Sequence, residues 1–171
     1  MAASVESLKN LDLTLLAQRL GKLCTTHQVE VSAAESCTGG GIASAITAVP
    51  GSSAYFTTGY VTYSNAAKTR LLGVPEEMLS HHGAVSEAVV KAMVAGACRE
   101  SGADMAIAVS GVAGPEGGSD EKPVGTVWLA WGSVDAQQAE CLHFYGDRQA
   151  VREQAVRQGI ARLVVALDKR E

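Results

Sequence analysis

The residues with chemistry to offer lie in two glycine-rich loops and one short segment between them. The first loop reads Glu35-Ser36-Cys37-Thr38-Gly39-Gly40-Gly41. It sets a hydroxyl beside a thiol where a strand runs into a helix. Successive glycines let the backbone turn tightly, and a helix start presents free N–H groups. Such a place can hold a phosphate or a developing oxyanion, and it can equally be a plain strand-to-helix turn. It is neither a G-x-x-x-x-G-K-[ST] loop nor a G-x-G-x-x-G fingerprint. The second loop opens as Ser110-Gly111-Val112-Ala113-Gly114-Pro115 and ends as Lys122-Pro123-Val124-Gly125. It follows a buried strand, and α/β folds build sites in loops that leave the carboxyl ends of strands. Between the two loops lies Tyr63-Ser64-Asn65-Ala66-Ala67-Lys68. By periodicity alone, Lys68 reads as a solvated helix residue and Tyr63 as half-buried packing.

Hydrolysis of an amide needs a nucleophile, a group to take its proton and donors for the tetrahedral oxyanion. A serine needs a base for this. The histidines are His27, His81, His82 and His143, and none sits in either glycine-rich loop. A Ser-His-Asp triad therefore has no evident members. A lysine whose pKa is lowered by burial can serve instead, with a tyrosine hydroxyl relaying or donating a proton. Ser36, Lys68 and Tyr63 supply that set. The S-x-x-K arrangement of penicillin-recognising serine amidases fails here, because Gly39 follows Ser36 by three places. Cys37 is a rival nucleophile. At an extended strand end, neighbours point opposite ways, so only one of Ser36 and Cys37 faces a site. His81 and His82 are adjacent and share no helix face, so no metal is expected.

The elements that must position these groups follow from periodicity. Leu13, Leu16, Leu20 and Leu23 mark an amphipathic first helix. Val29–Ala34 reads as a short strand, followed by a small-residue helix to Ala48 that Pro50-Gly51 stops. Phe56–Tyr63 reads as a strand. Asn65 is expected to cap a helix over Ala66–Leu72, with Gly73 as its stop. Pro75 starts a short helical turn, and Ser86-Glu87 open a longer helix with Val89, Val90, Met93 and Val94 inward. Met105–Val109 is a buried strand, and a long loop spans Ser110–Gly125, a length that is usually functional. Thr126–Trp131 and Ala139–Phe144 are strands expected to pair as a hairpin. Trp128 and Trp131, at odd spacing, face opposite sides. Asp147 caps a last helix carrying Val151, Ala155, Ile160 and Val164. Helices between strands indicate an α/β class with a mixed sheet covered on both faces.

The chain has 171 residues, 47% of them hydrophobic and 19% charged, with a net charge of -4. That is one domain's worth, 1–171, with enough apolar material for a full core. The mild acidity argues against nucleic acid as a partner. The four cysteines form no C-x-x-C pair and no zinc spacing. No secretory signal is legible in residues 1–10, and no apolar run approaches the roughly 18 residues of a membrane span. The expected location is a reducing cytoplasm, with no membrane partner.

Six segments together resemble the CinA C-terminal domain family. They are Ala34–Gly40; Gly59–Asn65 with Lys68; His82-Gly83-Ala84-Val85-Ser86; Ser110–Pro115; Gly118–Trp128; and Gly146-Asp147-Arg148. The resemblance runs from about Leu8 to Leu167. It implies a three-layer α/β/α sandwich with a mixed sheet. It implies an amidase that converts nicotinamide mononucleotide to nicotinic acid mononucleotide and ammonia in pyridine-nucleotide recycling, without a cofactor. Ser36 would be the nucleophile, with Lys68 and Tyr63 completing the catalytic group. Thr38 and Ser110 resemble substrate-contacting positions. The amides of Thr38, Gly39 and Gly40, or those of Ser110, Gly111 and Ala113, would hold the oxyanion. Arg148 or the first glycine-rich loop would hold the phosphate. Longer relatives carry a preceding molybdopterin-binding-like domain, so the resemblance is to the stand-alone form. Members are commonly dimeric, so a homodimer is expected. Some members have lost activity, which leaves a catalytically silent nucleotide-binding or regulatory module as the alternative. A DNA-competence role, suggested by the family name, fits the acidic balance poorly.

Overall fold

The computed structural model describes residues 2–170. Met1 and Glu171, the ends of the expected 1–171 domain, lie outside the described residues. The helices are α1 (Val5–Leu8), α2 (Leu13–His27), α3 (Gly41–Thr47), α4 (Asn65–Leu72), α5 (Glu76–His82), α6 (Glu87–Ser101) and α7 (Arg148–Asp168). The strands are β1 (Val31–Glu35), β2 (Phe56–Val61), β3 (Met105–Gly111), β4 (Thr126–Gly132) and β5 (Gln137–His143). They form one sheet in the order β2-β1-β3-β4-β5. β1 lies parallel to both β2 and β3, whereas β4 runs antiparallel to β3 and β5. The expected mixed sheet and C-terminal hairpin are both present.

Every residue of β1 is buried, as the small Ser32, Ala33 and Ala34 allow helices to close on both faces. On one face, Leu16, Leu20, Ile42, Ile46, Val151 and Ile160 from α2, α3 and α7 pack on Ile107 and Val109. On the other, Leu72, Leu79, Val89, Val90, Met93 and Val94 from α4, α5 and α6 pack on Ala34, Ala106 and Ala108. Trp131 joins the first cluster and Trp128 the second, so the two do face opposite sides. After β1 the chain moves to β2 on one side, and after β3 it moves to β4 on the other. The carboxyl ends of β1 and β3 therefore meet at a topological switch point, where α/β sheets open a crevice.

Several local expectations are corrected. Ser64, not Asn65, caps α4: its backbone is extended and its hydroxyl accepts from Ala67 N–H. β1 begins at Val31, two residues late, because Val29 closes the end of α2 through a bond to Cys24 O. β2 ends at Val61, so Tyr63 lies beyond the strand, and β3 extends to Gly111. β5 starts at Gln137 rather than Ala139. Leu13 stays 37% exposed, and the inner stripe of α2 is Leu16, Ala17, Leu20, Gly21 and Cys24. The short α1, unforeseen, is held by a capping box between Ser4 and Ser7.

Candidate functional site

Three strand ends converge at the switch point. Ser36 N–H donates to Val109 O at 3.0 Å, and Thr62 N–H donates to Glu35 O at 2.9 Å. These bonds continue the sheet one residue past β1 and fix where the Ser36 backbone sits. The chain then turns through Gly39 (φ +58°) and Gly40 (φ +101°), a left-handed path that glycine follows without steric cost. Gly40 stands at the N-cap of α3 but has no side chain to cap it. Glu35 supplies the cap instead. Its buried carboxylate accepts from Ile42 N–H at 2.8 Å, Ala43 N–H at 3.0 Å and the Thr38 hydroxyl at 2.6 Å. A carboxylate placed there also complements the helix dipole. Arg152, from α7, closes the other side by donating to Cys37 O at 3.1 Å and Thr38 O at 3.3 Å.

Lys68 sits in the first turn of α4, one helical turn before Leu72, and both are 1% exposed. Its ammonium nitrogen lies 3.0 Å from Ser36 Oγ, 2.8 Å from Thr62 O and 3.3 Å from Tyr63 O. No carboxylate pairs with it among the described residues. Burial therefore pushes the Lys68 pKa down, opposed by a smaller influence of Cys37. The geometry suits the neutral amine. Two carbonyls take its two N–H groups, and the lone pair is left for the Ser36 hydroxyl.

The neighbouring thiol borders the same cleft but is poorly activated for attack. Cys37 is 5% exposed and packs into the core face of α3 and α7. Burial pushes its pKa to about 11, with Glu35 adding to the rise and Arg152 and Lys68 opposing it. At neutral pH it is a thiol, not a thiolate.

Ser36 opens into a cleft of about 280 Å³ that is also lined by Tyr63, Lys68, Ser110, Gly111, Ala113 and Arg148. Two of the sequence-predicted groups, Ser36 and Lys68, are thus in direct contact. Tyr63 lines the cleft, but its hydroxyl accepts from Arg148 at 3.0 Å rather than bonding to Ser36 or Lys68. Arg148 also donates to Gly114 O at 2.8 Å. It lines both this cleft and an adjoining groove of about 980 Å³ toward the start of α7. Ser110 is 2% exposed, and its hydroxyl bonds to no described residue. Gly111 is needed for close approach, since a Cβ there would lie 2.9 Å from Thr126 O.

Two expectations are redirected by this geometry. The Thr38 hydroxyl is spent on Glu35, so the residue shapes the turn. The start of α3 is likewise not free for a phosphate, because Glu35 occupies the Ile42 and Ala43 amides. The Gly39 amide, an expected oxyanion donor, is spent on Ser36 O at 3.0 Å, whereas the amides of Cys37, Thr38 and Gly40 and those of Ala113 and Gly114 donate to no described residue. Those five remain available as donors. Glu35 and Arg152 hold the Ser36 turn, and the sequence assigned them no role. Apart from the Thr38 hydroxyl, their partners are main-chain atoms, which leave no trace in residue types. Glu116 and Asn65 also line the cleft and were not singled out.

Comparison with known proteins places this arrangement. The profile of the CinA C-terminal domain matches residues 13–167. The nicotinamide-nucleotide amidohydrolase PncC of Pseudomonas putida is 62% identical over 144 residues, which is 84% of this chain and 90% of that protein. The nicotinamide-nucleotide amidohydrolase PncC of Escherichia coli (strain K12) is 50% identical over 147 residues, 84% of this chain and 88% of that protein. The crystal structure of the competence damage-inducible protein A from Klebsiella pneumoniae subsp. pneumoniae MGH 78578 superposes with a TM-score of 0.91 at 40% identity, covering 94% of this chain and 100% of that one. The match extends over sequence, fold and length together, and this chain belongs to the CinA C-terminal domain family.

Proposed function

We propose that this chain is an amidohydrolase that converts nicotinamide mononucleotide to nicotinic acid mononucleotide and ammonia in pyridine-nucleotide recycling. The observation that carries the reading is the buried Lys68 amine 3.0 Å from the Ser36 hydroxyl. Relatives named nicotinamide-nucleotide amidohydrolase, 62% and 50% identical, support the choice of substrate.

The steps follow from the groups in the cleft. Neutral Lys68 takes the Ser36 proton as Oγ attacks the carboxamide carbon. The amides left free at Cys37 and Thr38, or at Ala113 and Gly114, stabilise the oxyanion. Lys68 returns the proton to the amide nitrogen, ammonia leaves, and the acyl group stays on Ser36. Water then attacks the ester and gives its proton to Lys68, which passes it to Ser36 Oγ as the acid leaves. The Tyr63 hydroxyl accepts from Arg148 and keeps its own proton, and on this reading it hydrogen-bonds the leaving nitrogen. Arg148 and the adjoining groove take the nucleotide phosphate. On this reading the chain acts as one catalytic unit over 1–171, as a homodimer in the cytoplasm, and sedimentation tests the dimer.

Ammonia release from nicotinamide mononucleotide is the test. Ser36→Ala should lower turnover by roughly a thousandfold or more, while Cys37→Ala keeps most of it. Full turnover in Ser36→Ala contradicts the proposal. A wild type that binds the mononucleotide but releases no ammonia favours a silent binding module.

A further inference from the structure

The cleft around Ser36 carries two opposite charges in its wall. Arg148 is the cation, and Glu116 is the one carboxylate residue lining the cleft among the described residues. Glu116 is exposed and forms no hydrogen bond or ion pair with any described residue. It follows Gly114 by two residues, and the Gly114 carbonyl accepts from Arg148. The same short stretch thus fixes a guanidinium and presents an unneutralised anion. Tyr63 lines the same cleft, 61% exposed, with its hydroxyl tethered by Arg148. A tyrosine held by its hydroxyl presents its ring in a set orientation.

The substrate read above is also charged twice. Its ring nitrogen bears the ribose and is therefore cationic, and its phosphate is anionic. The ring nitrogen lies one ring position beyond the neighbour of the carboxamide-bearing carbon. It must therefore sit close to Ser36 when the carboxamide is attacked. A cation there is attracted by a carboxylate in the wall and by an aromatic face. The phosphate suits a guanidinium.

We propose that Glu116, together with the tethered ring of Tyr63, makes the cleft select the cationic pyridinium form of its substrate over the neutral, reduced dihydropyridine form. This inference rests on the amidohydrolase reading given above. Glu116 acts as a specificity residue. It carries no proton in the reaction and forms no hydrogen bond with Ser36 or Lys68.

Binding to Ser36→Ala, which leaves the ligand intact, tests the inference. Nicotinamide mononucleotide and its reduced form share the phosphate and differ in ring charge. Calorimetry at low salt should show the oxidised form bound about threefold to tenfold tighter. Adding Glu116→Gln should remove most of that preference by weakening the oxidised form alone, and Glu116→Asp should restore it. Raising the salt should narrow the preference in the Ser36→Ala protein, because exposed charges are screened. Equal weakening of both forms by Glu116→Gln, or an unchanged preference, would overturn the inference. Ammonia release by the wild type is measured beside it. Release with an unmoved preference sinks only the role of Glu116. No release, with neither form bound, sinks the amidohydrolase reading as well.

Discussion

Two basic side chains are buried among the described residues, and they are treated in opposite ways. Arg162, on α7, is 5% exposed and fully answered. Its Nη2 lies 2.7 Å from Glu140 Oε2, its Nε lies 3.2 Å from the same oxygen, and Gln158 accepts from its third nitrogen. The Trp131 ring lies 5.9 Å from its guanidinium carbon. Lys68 is 1% exposed and has no carboxylate, only two carbonyls and a serine hydroxyl. An arginine does not give up its proton, so burying one requires an anion. A lysine can shed its charge, and burial without an anion makes it do so. The first arrangement ties α7 to β5. The second produces a base beside a nucleophile. A buried ion pair and a buried lone amine look alike in a count of charges, and only their partners tell structure from chemistry.

Substitutions can break this contrast. Lys68→Met should lower ammonia release by roughly a thousandfold or more, since it removes the base. Folding stability, read by denaturant unfolding, should change by less than about 2 kcal/mol, because desolvation of the amine and loss of the Thr62 contact offset each other. Glu35→Gln should lower turnover by about tenfold and stability by about 1–2 kcal/mol. Its amide nitrogen would face an N–H of α3, and the Ser36 turn would loosen. Arg162→Met should leave turnover per folded molecule unchanged and cost about 1–3 kcal/mol. The cost stays below that of a fully buried pair because the Glu140 side chain is 46% exposed and regains water. Loss of activity in Arg162→Met with normal stability would erase the distinction.

The sequence displayed the frame of this site and hid its fastenings. Val89, Val90, Met93 and Val94 announced the inner face of α6, and Asp147 announced the start of α7. The burial of Lys68 was not legible from periodicity, because a lone helical lysine reads as solvated, and only its place one turn before Leu72 on the inner face of α4 puts it at 1% exposure. Ser64 and Asn65 are both capping types, and only the extended backbone at Ser64 decides between them. Arg152 grips the turn across 115 sequence positions. Glu35 grips it through backbone amides. Neither contact has a local pattern. The glycines that invited a phosphate at α3 serve a turn whose helix start is already capped by Glu35.

The unpaired amine also links pH to stability. The folded chain holds Lys68 below its ordinary pKa through desolvation. Between the depressed value and the ordinary one, the unfolded chain binds a proton that the folded chain does not. Stability attributable to this group therefore rises with pH across that window, and the penalty is complete below it. Activity should rise over the same range, as Lys68 loses its proton.

The most direct test is a nuclear magnetic resonance titration of the Lys68 side-chain nitrogen, assigned by comparison with Lys68→Met. The account predicts a midpoint well below that of the exposed lysines, matching the rise of ammonia release with pH. A midpoint shared with the exposed lysines, in a protein that still turns over, would contradict the claim that Lys68 acts as a neutral base on Ser36.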